Sequence, residues 1–179
     1  GCQNQHIPIE LQRSTKQTAL VQRLSRLQPE PIHFMPLLQG EPWHYRRRVR
    51  LSVLLDSKNR KLNIGLRRKN SQQIIPIEHC LVLEQPLNDL LPKLTALFTQ
   101  WTTPQQLGHI ELVAADNGIA MLLRHIKNIG ETDRTLLLRF AEQHQLMLFV
   151  QEHDSIEHWQ GEQPFYRLDD DLTLQFDIR

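Results

Sequence analysis

Ten basic residues stand between positions 46 and 69 (46, 47, 48, 50, 58, 60, 61, 67, 68 and 69), and one acid, Asp56, stands among them. In an extended chain Arg46, Arg48 and Arg50 project from one side about 7 Å apart. A second strand returning through Lys61, Arg67 and Lys69 would widen that row. Like charges facing each other across a sheet are destabilising, so the row is expected to serve a polyanion. RNA fits, because it presents phosphates along the edges of its shallow groove and in its loops. The competing reading is a solvated strand face, which would ordinarily carry both signs. Trp43, His44 and Tyr45 lie directly before the arginines and could stack on unpaired bases. Against that, Tyr45 is expected on the apolar side of its strand, and Trp43 beside Pro42 could close a core.

Cys2 and Cys80 are the chain's two cysteines. Alone they specify nothing, because a tetrahedral metal or cluster site needs four ligands; a metal ligand, a plain thiol and a single disulfide all stay open. His153, Asp154, Glu157 and His158 carry metal-binding atoms, but their spacing fits no zinc motif, and they read as an acidic surface loop. The sequence holds no Gly-rich nucleotide loop, no Gly-x-Ser-x-Gly elbow and no acid pair in a recognisable setting. No residue is assigned a catalytic role.

The elements that would position these groups follow from periodicity. Pro8 suits a first helical position, and Leu20, Val21, Leu24 and Leu27 recur at helical spacing, predicting a helix over 9–27. A proline-rich connection covers 28–42. Val49, Leu51, Val53 and Leu55 alternate with Arg48, Arg50 and Ser52, predicting a strand over 45–55; a turn and a second alternating run, 61–69, complete a hairpin. A short strand over 74–77 leads to Cys80. Leu87, Leu90, Leu91, Leu94, Leu97, Phe98 and Trp101 mark a second helix, with Pro92 either kinking it or starting its main part. Asn117-Gly118 signals a hairpin between strands 110–115 and 119–126. A third helix is expected over 131–144, with further strands over 146–151 and 172–176. Helices and hairpins alternate without βαβ spacing, so the fold class expected is α+β, mainly antiparallel hairpins packed with about three helices.

With 40% hydrophobic and 23% charged residues in 179, the chain has the composition of a folded globular protein, burying about 70% of its unfolded surface. No apolar run nears the roughly 20 residues that cross a bilayer, and no signal peptide opens the chain; the expectation is a cytoplasmic, reducing location, which disfavours a disulfide. Net charge is +1, yet from residue 150 onward eight acids face Arg167 and Arg179 alone. The absent initiator Met and an end that reads as mid-strand suggest a fragment.

Four segments carry a family resemblance: Gly1-Cys2-Gln3-Asn4-Gln5-His6, Pro42-Trp43-His44-Tyr45-Arg46-Arg47-Arg48-Val49-Arg50-Leu51, Ile64-Gly65-Leu66-Arg67-Arg68-Lys69 and Leu107-Gly108-His109-Ile110-Glu111-Leu112. Together they resemble the S-adenosylmethionine-dependent RNA uracil-5-methyltransferases, and within them the branch acting on 23S rRNA. The resemblance spans nearly the whole chain. It implies a central domain (1–7 ending an iron–sulfur cysteine loop, 8–179 an α+β RNA-docking domain), with an N-terminal barrel and a C-terminal S-adenosylmethionine domain outside it. It also implies that Cys2 and Cys80 match the third and fourth ligands of a [4Fe–4S] cluster whose first two cysteines are not in this chain, so that the fragment is expected to hold neither cluster nor S-adenosylmethionine. The chemistry implied is thiolate attack on uracil C6, methyl transfer to C5 and removal of the C5 proton, by residues beyond this chain. The resulting expectation is an inactive, monomeric piece of a 23S rRNA methyltransferase that docks RNA through Arg46, Arg48, Arg50, Lys61, Arg67 and Lys69, with no DNA or membrane partner. The alternative is a stand-alone RNA-binding or ribosome-assembly module.

Overall fold

The computed structural model describes residues 4–27, 30–56, 59, 61–169 and 172–178, in two units, 1–42 and 43–179. The first unit holds helix α1 (Ile9–Ser25), which Pro8 opens. Glu10 in its first turn and Arg23 in its last agree with the helix dipole. Arg13 bonds Glu10 and also donates to the Gly40 carbonyl, which fastens the extended segment near residue 40 to the helix. No residue of α1 is buried.

The second unit is a sheet of seven strands in the order β3-β2-β1-β4-β5-β6-β7, with a separate hairpin β8-β9. The strands are β1 (Arg48–Asp56), β2 (Lys61–Arg67), β3 (Ile74–Pro76), β4 (Leu107–Ala115), β5 (Gly118–His125), β6 (Leu146–Glu152), β7 (Ser155–Gln160), β8 (Phe165–Asp169) and β9 (Leu172–Gln175); the helices are α2 (Gln85–Thr99) and α3 (Glu131–Gln143). The class is α+β, as expected from the alternating hairpins and helices. One expectation needs correction. α3 carries the chain across the sheet so that β5 and β6 pair in parallel, which makes a βαβ crossover where none was anticipated. Leu146–Val150 is accordingly buried on both faces, as strands of parallel pairs usually are.

Alternation in β1 directs Val49, Leu51 and Val53 to one face, where they join Ile110, Leu112, Met121, Leu123, Leu148 and Val150 beneath the leucines of α2 and Leu137, Phe140 and Ala141 of α3. Pro92 lies inside α2 at an exposed position, and the helix runs through it. The opposite face is apolar only at one end, where Val113, Ala115, Ala120, Leu122, Met147 and Phe149 pack with Ile178, Tyr166 and Phe176. The β4–β5 turn anchors that cover. Asn117 bonds Gln163 and Phe165, and Asp116 accepts from the Arg167 amide and from Arg47, which hold its carboxyl below its ordinary range.

Two of the buried polar residues are matched by their neighbours. Asp133 takes the Thr102 amide and hydroxyl. His125 donates from Nδ1 to the Lys127 carbonyl, and its Nε2 accepts from Trp101 Nε1 at 3.4 Å. Gly65 is required where β2 meets β3, because a Cβ there would collide with the Ile75 carbonyl.

Candidate nucleic-acid interface

The end of the sheet left open by β8 and β9 carries the basic row. Ser52 pairs with Gly65, so Lys61 and Arg67, each an even number of residues from Gly65, share the face of Arg48 and Arg50. Lys69 is exposed in the turn beyond β2, next to Asn70 at φ 54°. Arg46 is exposed just before β1, with its backbone bonded to Val82 and Glu84. Arg67 reaches Gln72 within its own hairpin. Arg47 turns elsewhere: it bonds Asp116 at 2.5 Å, lies 3.5 Å from Glu84 and stacks 4.4 Å above the Tyr166 ring, so its role is to hold β8.

The neighbouring strand changes the electrostatic argument. Arg50 pairs with Glu111 of β4, whose side chain is only 4% exposed. Arg48 Nη2 donates to Glu111 Oε2 at 2.6 Å, and Arg50 Nε lies 3.6 Å from Oε1. The repulsion expected within the arginine row is therefore offset from inside the sheet, and does not by itself demand an external polyanion. What remains is accessibility: the Arg48 and Arg50 side chains are 52% and 60% exposed, so both guanidinium groups reach the solvent face of the sheet.

His109 sits in the same group. Arg50 Nη2 lies 3.1 Å from its Nδ1, and since a guanidinium can only donate, Nδ1 is the lone pair and the proton resides on Nε2. Burial, with Arg50 and Arg124 beside it, lowers its pKa to about 4, although Glu111 pulls the other way. Glu111, His109 and Arg124 were not among the site residues read from the sequence. The available signal was β4's own alternation, which puts His109 and Glu111 on the side opposite Ile110 and Leu112. With Arg50, Gln151, Asp154 and Ile156 these residues line a cleft of about 480 Å³ over Leu122.

The aromatic residues before β1 behave differently from expectation. The strand begins at Arg48, so its alternation does not reach Tyr45, which is 53% exposed rather than apolar-facing; Trp43 is 38% exposed. His44 adopts φ 52° and its Nδ1 bonds the Leu83 carbonyl. The segment read as an acidic loop is instead a hairpin of β6 and β7. His153 bonds Asn128, His158 stacks on Phe149 at 4.4 Å and Glu157 accepts from Trp159. Among the described residues no three His, Cys, Asp or Glu side chains converge as a metal site.

Cys80 is half-buried in the connection between β3 and α2. Asn88 of α2 clasps this loop from beneath: it accepts from the Cys80 amide at 2.8 Å and donates to the Cys80 and Leu83 carbonyls at 3.0 Å each. Cys2 lies outside the described residues.

Comparison with known proteins sets these observations in a family. No family model matches the chain. A 23S rRNA (uracil(1939)-C(5))-methyltransferase RlmD of Histophilus somni is 62% identical over 179 residues, which is 100% of this chain and 41% of that protein. The protein of the same name from Pasteurella multocida is 59% identical with the same coverage, and that of Shewanella sp. (strain MR-7) is 39% identical over 158 residues, 88% of this chain and 35% of that protein. The chain thus spans about two-fifths of the length of the curated relatives it matches. Among solved structures, the Pyrococcus abyssi tRNA (uracil-54, C5)-methyltransferase in complex with S-adenosyl-L-homocysteine superposes with a TM-score of 0.59 over 86% of this chain and 40% of that one, at 16% identity, a likeness of fold alone. Within the described residues no helix is long and apolar enough to cross a membrane. Over its full length, the chain is similar in sequence to about two-fifths of the 23S rRNA (uracil(1939)-C(5))-methyltransferases RlmD, the family with which it aligns.

Proposed function

We propose that this chain is the RNA-docking part of an S-adenosylmethionine-dependent methyltransferase that forms 5-methyluridine in 23S rRNA. The observation that carries the reading is the open end of the sheet, where Arg48, Arg50, Lys61 and Arg67 share one face, with Arg46 and Lys69 exposed at its margins. This surface neutralises backbone phosphates of a folded RNA and fixes its register, while the uracil chemistry belongs to the remainder of the longer enzyme. S-adenosylmethionine, bound there, supplies the methyl group. On its own the chain transfers none.

Cys80 suits a cluster ligand in one respect: its loop is held by three hydrogen bonds to Asn88, so the thiol has a fixed seat. The described residues supply that one thiol and no second cysteine. Cys2 is the proposed second ligand, and the other two would come from elsewhere in the longer protein.

The test uses positions whose loss leaves the sheet intact. Arg48→Glu is unsuitable, since it would set a carboxylate against buried Glu111. Arg67→Gln with Lys69→Gln removes two exposed cations. Binding of the chain to a 23S rRNA stem-loop, followed by fluorescence anisotropy across a salt series, is expected to weaken, with the slope of log K against log salt shallower by roughly 1.5 to 2. An unchanged slope would reject the hairpin as the phosphate-binding surface.

A further inference from the structure

The cleft beside the arginine row has chemistry that phosphate binding does not use. Its floor is Leu122, its rim carries the 37%-exposed Ile156, and its volume of about 480 Å³ falls within the range of small-ligand sites. Around it stand Arg124 of β5, Gln151 of β6 and Asp154 of the β6–β7 turn. Among the described residues these three side chains make no hydrogen bond or ion pair, unlike Arg48 and Glu111, which engage each other. Within the described residues, then, an exposed carboxylate, a half-buried amide and an exposed guanidinium without protein partners face one space with an apolar floor. A phosphate would be repelled by Asp154, and a purely apolar ligand would strand all three polar groups. A nucleobase satisfies both conditions, having apolar faces and hydrogen-bonding edges.

Among the four bases, guanine alone presents two adjacent acceptors, O6 and N7, on one edge and two adjacent donors, N1–H and the N2 amine, on the next. A guanidinium matches the first pair bidentately, and a carboxylate matches the second. We propose that this cleft receives an unpaired guanine of the bound RNA, with Arg124 donating to O6 and N7, Asp154 accepting from N1–H and N2–H, and Arg50 at the mouth meeting the flanking phosphate. The inference rests on the RNA-docking reading and adds a base-selective site to a surface that otherwise reads only backbone.

Anisotropy with labelled single-stranded hexauridines carrying G, A, C or U at one central position tests it on the chain as it stands. The guanine oligonucleotide is expected to bind about tenfold more tightly than the others. Asp154→Asn, at an exposed turn position, should collapse that preference to within about twofold while the salt slope stays as in the wild type; Arg124→Ala should do the same with a slightly shallower slope. Equal binding of all four oligonucleotides, or a guanine preference that survives both substitutions, overturns the cleft while leaving phosphate docking in place. Absence of salt-dependent binding to any of them would overturn the docking reading and the cleft together.

Discussion

Glu111 is the residue on which the open face turns. Only 4% exposed, it lies 3.8 Å or less from Arg48, Arg50 and His109, and its carboxylate lets two arginines sit side by side on adjacent turns of the pleat. His109 is held neutral by burial and by Arg50, with its pKa lowered from 6.5 to about 4. Well above pH 6.5 the imidazole is neutral in folded and unfolded chains alike and adds nothing to the pH dependence. Between pH 6.5 and about 4 the unfolded chain takes up a proton that the folded one refuses, so stability falls as the pH falls. His109→Gln should remove that component. Urea denaturation at pH 7 and pH 5 is expected to show a smaller loss of stability in the variant than in the wild type, and equal losses would mean that His109 titrates normally in the fold.

At the scale of elements, α2 and the Cys80 loop are joined by one side chain. Asn88→Ala would strip partners from the Cys80 amide and the Cys80 and Leu83 carbonyls, all shielded from water in part or whole, and is expected to cost about 2–3 kcal/mol. In a Cys2→Ser background, alkylation of Cys80 by iodoacetamide should accelerate as the loop loosens. An unaltered rate would show that the loop is held by other means. The strands that carry the basic row were legible because Val49, Leu51 and Val53 alternate with Arg48, Arg50 and Ser52, a pattern only a half-buried strand produces. The crossover was not, since the apolar run Leu146–Val150 declares burial on both faces but not the direction of its partner. β7 was missed for the opposite reason: Ser155–Gln160 is an exposed edge strand, and without a buried face it leaves no apolar alternation to read. The part of the site contributed by β4 and β5 was hidden because Glu111 and Arg124 become neighbours of the arginines only through pairing between β1, β4 and β5, which periodicity within one segment does not encode.

Across the whole sheet the two faces are treated unequally. α2 and α3 cover one face along its length, while the other is covered at one end by the β8–β9 hairpin and the segment after it, and left open where the arginines stand. Removing residues 162–179 should expose Val113, Ala120, Leu122, Met147 and Phe149, at about 1.5–3 kcal/mol for each large side chain returned to water. The truncated chain is expected to bind the dye ANS strongly and to unfold at lower urea; an unchanged dye response would show that the hairpin is dispensable cover. The strand order also carries a history. Every neighbouring pair in the seven-stranded sheet joins segments close in the chain except β1 and β4, where Arg48 meets Val113. Closing that long loop is costly before its contacts form, so the β4-β5-α3-β6-β7 block should assemble first and receive the β1-β2-β3 hairpins as a late arrival. Leu148→Ala would then slow refolding, whereas Leu51→Ala, at the seam, would chiefly hasten unfolding. The arginine-bearing surface, on this order of events, is the last part of the sheet to come into being and the first to be lost.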